Sequence, residues 1–139
     1  MIILDTNVIS TLMQREPTRQ VLSWLDEQPA EELWLTSVTV FEIRYGLALL
    51  PSSKRRRALD EAFTRTLEDD FDGRVLPFEV ESARQAAEFA AHRRLAGRPI
   101  EFRDVEIAGI AASREASLAT RNTRDFEGLG LDLVDPWTG

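Results

Sequence analysis

The chain contains no cysteine. That excludes a disulfide scaffold, thiol catalysis and a cysteine zinc site. It has one histidine, His92, so a multi-histidine metal site is excluded too. Any catalysis must then rest on carboxylates, hydroxyls, amides or basic groups. No apolar run approaches the ~18 residues that a membrane span needs. The amino terminus, Met1-Ile2-Ile3-Leu4-Asp5, lacks the basic region of a secretory signal. A cytoplasmic protein without a membrane partner is the expectation. Repeats, low-complexity tracts and linkers are also missing.

Positive charge is in the minority. Seventeen basic against 24 acidic residues leave a net charge of −7. A chain of that sign is a poor non-specific binder of nucleic acid, so any basic patches must be local. The 139 residues suit one domain, 1–139, large enough to bury a core without staples. Hydrophobic residues are 43% and charged residues 29%, which argues against disorder.

Short apolar runs alternate with amphipathic segments. Met1–Leu4, Leu33–Thr36, Arg74–Pro77, Ser117–Thr120 and Leu131–Val134 read as strands, several of them apolar throughout as in a parallel sheet. Helices are expected around Val8–Met13, after Pro17, over Ser37–Leu50, after the Ser52-Ser53 cap, over Glu79–Leu95 closed by Gly97, and from Asp104. Leu59, Phe63, Leu67 and Phe71 form a stripe at i, i+4 spacing that suits either the core or an interface. The pattern predicts an α/β sandwich around a mainly parallel sheet.

In such sheets, sites form beyond the carboxyl ends of the strands. Asp5 ends the first strand. Glu42 lies about a turn into the helix after the second. Asp104 opens the helix before the fourth strand, and Thr120, Arg121, Asn122 and Asp125 follow that strand. Four acids from separated segments thus converge on one sheet edge. A carboxylate cluster is costly unless a cation neutralises it, and an all-oxygen donor set suits Mg²⁺ or Mn²⁺. That chemistry suits phosphodiester hydrolysis. Each acid also has a plainer reading. Asp5 and Asp104 are good helix caps, and Glu42 completes a T-x-x-E capping box with Thr39 unless the helix starts at Ser37.

The constellation resembles the PIN-domain ribonucleases, above all the toxins of VapBC-type toxin–antitoxin pairs. The resemblance is carried, in order, by Ile2–Val8, Ser37–Gly46, Asp104–Ala111, Leu118–Phe126 and Val134–Trp137. It implies a three-layer α/β/α sandwich and a metal-dependent endoribonuclease. Asp5, Glu42 and Asp104 match the three central metal-binding acids, and Asp125 is the better match for a fourth, because Asn122 is neutral. Thr6 and Thr120 add hydroxyl contacts. Arg121, Arg124 and Asn122 are placed to touch RNA, ahead of the basic run Lys54–Arg57. The mechanism that the resemblance implies is in-line attack by a metal-bound water, leaving a 5′-phosphate and a 3′-hydroxyl, with a base such as Glu42 or Asp125 optional. The resemblance also implies a cognate antitoxin that inhibits the toxin, a homodimer and a toxin–antitoxin hetero-oligomer. Two other readings were weighed. An aspartyl phosphatase wants a second aspartate where this chain has Asn7. A non-catalytic PIN-like module for RNA binding or complex formation is disfavoured by the intact acids. No stacking aromatic is apparent; Trp24 and Trp34 read as core, and His92 as structural.

Overall fold

The computed structural model describes residues 1–138. Five strands form one sheet: β1 (Ile2–Leu4), β2 (Leu33–Thr36), β3 (Val75–Leu76), β4 (Ser117–Ala119) and β5 (Leu133–Val134). Every pairing is parallel, and the order is β3-β2-β1-β4-β5. The sequence reading placed all five, with β3 and β5 too long by two residues each. β1 is central, with Ile2 opposite both Leu33 and Ser117. Buried on both faces, it can be apolar throughout: Ile3 and Leu4 are fully buried on opposite sides of the sheet.

Parallel neighbours need crossovers, and six helices supply them: α1 (Thr6–Leu12), α2 (Arg19–Asp26), α3 (Ser37–Ala48), α4 (Lys54–Arg65), α5 (Val80–Leu95) and α6 (Phe102–Ser113). One core cluster joins the sheet to α1–α4 through Val8, Ile9, Val21, Trp24, Ile43, Leu47 and Phe63. The other joins the opposite face to α6 through Ile107, Ala108, Ile110 and Ala111, with Phe89 of α5 packed against it. The result is the three-layer α/β/α sandwich.

The stripe on α4 resolves to the core. Phe63 and Phe71 are buried, with Leu59 and Leu67 packed on the same cluster. A π-helical turn, Thr66–Asp70, carries the stripe past the end of α4 to Phe71. The helix α5 ends as its Gly97 predicts. With φ +76°, Gly97 lets its N–H reach the Arg94 carbonyl at 3.0 Å and the Arg98 N–H reach that of Arg93 at 2.9 Å.

The chain moves outward from β1 to β2 and β3, then returns to lay β4 on the other side of β1. Strand order therefore reverses between β1 and β4. Helices leave the sheet in opposite directions there, and a crevice opens at the carboxyl ends.

Candidate metal centre

Asp5 leaves β1 directly into this crevice. Its backbone N–H donates to the Ala119 carbonyl of β4 at 2.9 Å, which extends the ladder. Its carboxylate does two jobs. Oδ1 caps α1 by accepting from the Thr6 N–H at 2.8 Å, and Oδ2 accepts from the Thr120 hydroxyl at 2.8 Å. Asp5 is thus both the helix cap and an acid facing the crevice. Burial pushes its carboxyl up, the two hydrogen bonds pull it partly back, and the charge of Asp125 adds a further push upward.

Glu42 is not a cap. α3 begins at Ser37, and Thr36 caps it by accepting from the Thr39 N–H at 3.1 Å. Glu42 therefore sits in the second turn, beyond reach of the free N–H groups. Its Oε1 accepts from the Thr6 hydroxyl at 2.9 Å, and Oε2 lies 4.0 Å from Arg103. Burial raises its carboxyl; Thr6 and Arg103 oppose that, while Asp5 and Glu101 add to it.

The expectation that Asp104 opens its helix is corrected. Glu101 is the cap of α6, accepting from the N–H groups of Arg103 at 2.8 Å and Asp104 at 3.2 Å. Asp104 is the third helical residue, so its carboxylate is not spent on capping. Burial first, then the charges of Asp5, Glu101, Glu42 and Asp125, push it up to about 7.

Asp5, Glu42 and Asp104 line one cavity of about 420 Å³, together with Thr6, Arg121 and Asn122. Thr120 stands behind Asp5, fully buried, and accepts from the Asn122 N–H at 3.0 Å. Asp125 lies elsewhere, in an adjoining recess of about 250 Å³ that it shares with Glu101 and Asp104. Asn122, not Asp125, borders the cavity of the three acids, although the Asp125 charge acts on both Asp5 and Asp104. Arg124 is exposed and lines neither space.

Four residues were not among the site candidates read from sequence. Asn7 joins two segments, donating to Thr120 Oγ1 at 3.3 Å and accepting from the Arg121 N–H at 3.3 Å. Arg103 borders Glu42. Trp137 lines the cavity. Arg93 is buried and donates to the carbonyls of Arg98 and Asp125 at 2.9 Å and of Glu127 at 3.3 Å, which holds the turn after β4 in place. Its neighbour His92, expected to be structural, is exposed. Arg44 pairs with Asp60 at 3.5 Å and covers the Phe63 ring.

Among the described residues the acids line the cavity wall without closing into a ligand cage. The donor set nevertheless fits a hard divalent ion. It is all oxygen, it faces open space, and its charge is neutralised so little that one carboxyl is held near 7. A pH dependence follows. A carboxyl raised in the fold leaves stability intact below the ordinary carboxylate range and removes it as pH rises through about 7. In EDTA the protein should therefore melt lower at pH 8 than at pH 6. Mg²⁺ or Mn²⁺ should raise the melting temperature more at pH 8, where protons no longer compete. Equal shifts at both pH values would count against the three acids as ligands.

Comparison with known proteins came out consistently. The PIN domain family model matches residues 2–130. The chain is 42% identical to the VapC ribonuclease Y4jK of Sinorhizobium fredii, over 99% of this chain and 98% of that one. It is 35% identical to the toxin FitB of Neisseria gonorrhoeae, over 99% of both. Among solved structures, DNA-bound VapBC from Salmonella typhimurium superposes with a TM-score of 0.79 at 26% identity, over 97% of each chain.

Proposed function

The chain belongs to the PIN domain family, and on that premise we propose that it is a metal-dependent endoribonuclease, the toxin of a toxin–antitoxin pair, acting in the cytoplasm and restrained by its antitoxin. One observation carries the nuclease reading: three carboxylates from positions 5, 42 and 104 face one cavity at the strand-order reversal. One buried and two half-buried acids with raised pKa values weaken a fold. A non-catalytic module gains nothing from keeping them.

Asp5, Glu42 and Asp104 would hold the ion, with Asp125 the nearest further acid. A divalent ion held by these residues would supply an activated water and charge stabilisation for a phosphate. The chain's own residues do the positioning. Thr6 and Thr120 donate to the Glu42 and Asp5 carboxylates and fix their orientation. Asn7 ties Thr120 to the start of the loop that carries Arg121 and Asn122. Arg121 offers N–H donors to phosphate, and the Asn122 amide can orient water or phosphate. No group in the cavity needs to form a covalent intermediate.

Beside the acids runs a second cavity of about 490 Å³, lined by Met13, Ile43, Leu47 and Leu59 with Arg15 and Arg55. It shares Thr6 and Glu42 with the first. An antitoxin segment seated here would reach the acids with a basic or apolar side chain. On α3 and its C-cap, Phe41, Tyr45 and Leu49 are exposed at helical spacing, the two rings stacked at 5.8 Å. This face suits the homodimer.

The test is cleavage of total cellular RNA by purified, antitoxin-free protein. Discrete fragments should appear with Mg²⁺ or Mn²⁺ and vanish with EDTA. A folded, metal-loaded protein that cuts no RNA would overturn the proposal.

A further inference from the structure

Two arginines stand beside the acids, Arg121 lining their cavity and Arg103 next to Glu42, and they end differently. Arg103 is neutralised: its Nε donates to Glu101 at 3.2 Å, and its Nη1 lies 4.0 Å from Glu42. Arg121 makes no ion pair among the described residues, although it lines the same cavity as Asp5, Glu42 and Asp104. Its guanidinium instead stands over the Trp137 ring, 5.2 Å from the centroid.

Both ends of this contact are anchored. The Arg121 N–H is held by Asn7 Oδ1 at 3.3 Å, in the network that orients Asp5. Trp137 follows a buried proline, packs against the core on the α1–α4 side, and donates its backbone N–H to Asp135 at 2.8 Å. A long cationic side chain beside carboxylates normally folds onto them. An aromatic face offers a competing attraction and leaves the guanidinium N–H donors unspent. Unspent donors in a fixed fork suit the paired oxygens of a phosphate.

We infer that Trp137 is the positioning residue that keeps Arg121 off the acids and available to a backbone phosphate of the RNA. The inference rests on the nuclease reading and adds a residue that touches no reacting atom.

The experiment uses Asp5→Asn protein, whose cleavage should be too slow to consume the probe, and a fluorescein-labelled single-stranded oligoribonucleotide of randomised sequence. Affinity is read by anisotropy with Mg²⁺ across a KCl series. Arg121→Ala and Trp137→Ala should each weaken binding about tenfold and flatten the slope of log affinity against log salt by about 0.7, the value of one phosphate contact. Trp137 is uncharged, so a flatter slope in its variant can arise only through Arg121. The double variant should bind no worse than either single one. Trp137→Phe should recover most of the affinity, and Lys54→Ala, outside the cavity, should change both quantities less than Arg121→Ala does.

An unchanged slope in Trp137→Ala, or additive losses in the double variant, would overturn the inference. If thermal melting shows Trp137→Ala to be unfolded, Trp137→Leu replaces it. Leucine fills space without a ring, so binding equal to that of Trp137→Phe would also overturn it. Should the Asp5→Asn parent bind no RNA at any salt, the nuclease reading falls and takes this inference with it. RNA binding indifferent to both residues defeats the inference alone.

Discussion

Asp5→Asn should lower RNA cleavage by roughly a thousandfold while leaving the protein at least as stable as before. The size of the loss reflects what is removed: the most buried of the three acids and the one at the central strand. The retained stability follows from the other two roles of Asp5. Asparagine caps helices about as well as aspartate: its Oδ1 can still accept from the Thr6 N–H, and its Nδ2, in place of Oδ2, donates to the Thr120 hydroxyl oxygen instead of accepting from it. It also takes away a charge that burial disfavours and that helps push Asp104 up to about 7. Two measurements check this, single-turnover cleavage with Mg²⁺ and thermal melting in EDTA near pH 8. Metal-dependent cleavage at anything near the parent rate would remove Asp5 from the site. A sharp fall in melting temperature would mean that its role is structural.

The second large effect belongs to Gly109, in the middle of α6. A Cβ there would collide with the Ser82 carbonyl oxygen and lie 2.8 Å from the Ala86 Cβ and 2.9 Å from the Ala86 nitrogen. All three atoms belong to α5, and two are backbone, so no side-chain rotation makes room. Gly109→Ala should cost about 2–3 kcal/mol even though alanine favours a helix by roughly 1 kcal/mol. That is a large part of the ~5–15 kcal/mol that holds a typical domain together. Because α6 carries Asp104, cleavage should fall as well. Gly46→Ala is the control. Nothing lies within 4 Å of a Cβ at Gly46, in α3, so it should stabilise by about 0.5–1 kcal/mol. Urea midpoints for the two variants decide it, and equal midpoints would contradict the close approach of α5 and α6.

What could be read from sequence divides along a physical line. Strands buried on both faces leave continuous apolar runs, so all five were visible and only their ends slipped. The placement of Asp5 and Glu42 was legible because a strand followed by a polar cap and a helix has a local pattern. Whether Glu42 caps α3 depended on where that helix starts, and Thr36 decided it. Asp104 failed for the same reason in reverse. By residue type Asp104 is the better cap, and only the turn of the backbone after Ile100 puts Glu101 in that place three residues earlier. The position of Asp125 was hidden because Arg93, some thirty residues away in sequence, pins the turn that carries it. In the run His92-Arg93-Arg94, nothing local says which residue is buried. The contact of Arg121 with Trp137 joins two loops, so no periodicity could reveal it.

The strand order has a consequence for synthesis. β1 is made before its neighbours in the sheet but finds one of its two partners only when Ser117–Ala119 follows. Until then one edge of β1 lacks its neighbour, and Asp5 lacks both the Ala119 carbonyl that extends its strand and the Thr120 hydroxyl that orients its carboxylate. Asp104 arrives almost as late. A nascent chain therefore carries the first acid, unable to assemble the centre, until β4 follows it. For a protein proposed to cut RNA, that ordering defers the hazard until the second partner of β1 has been made.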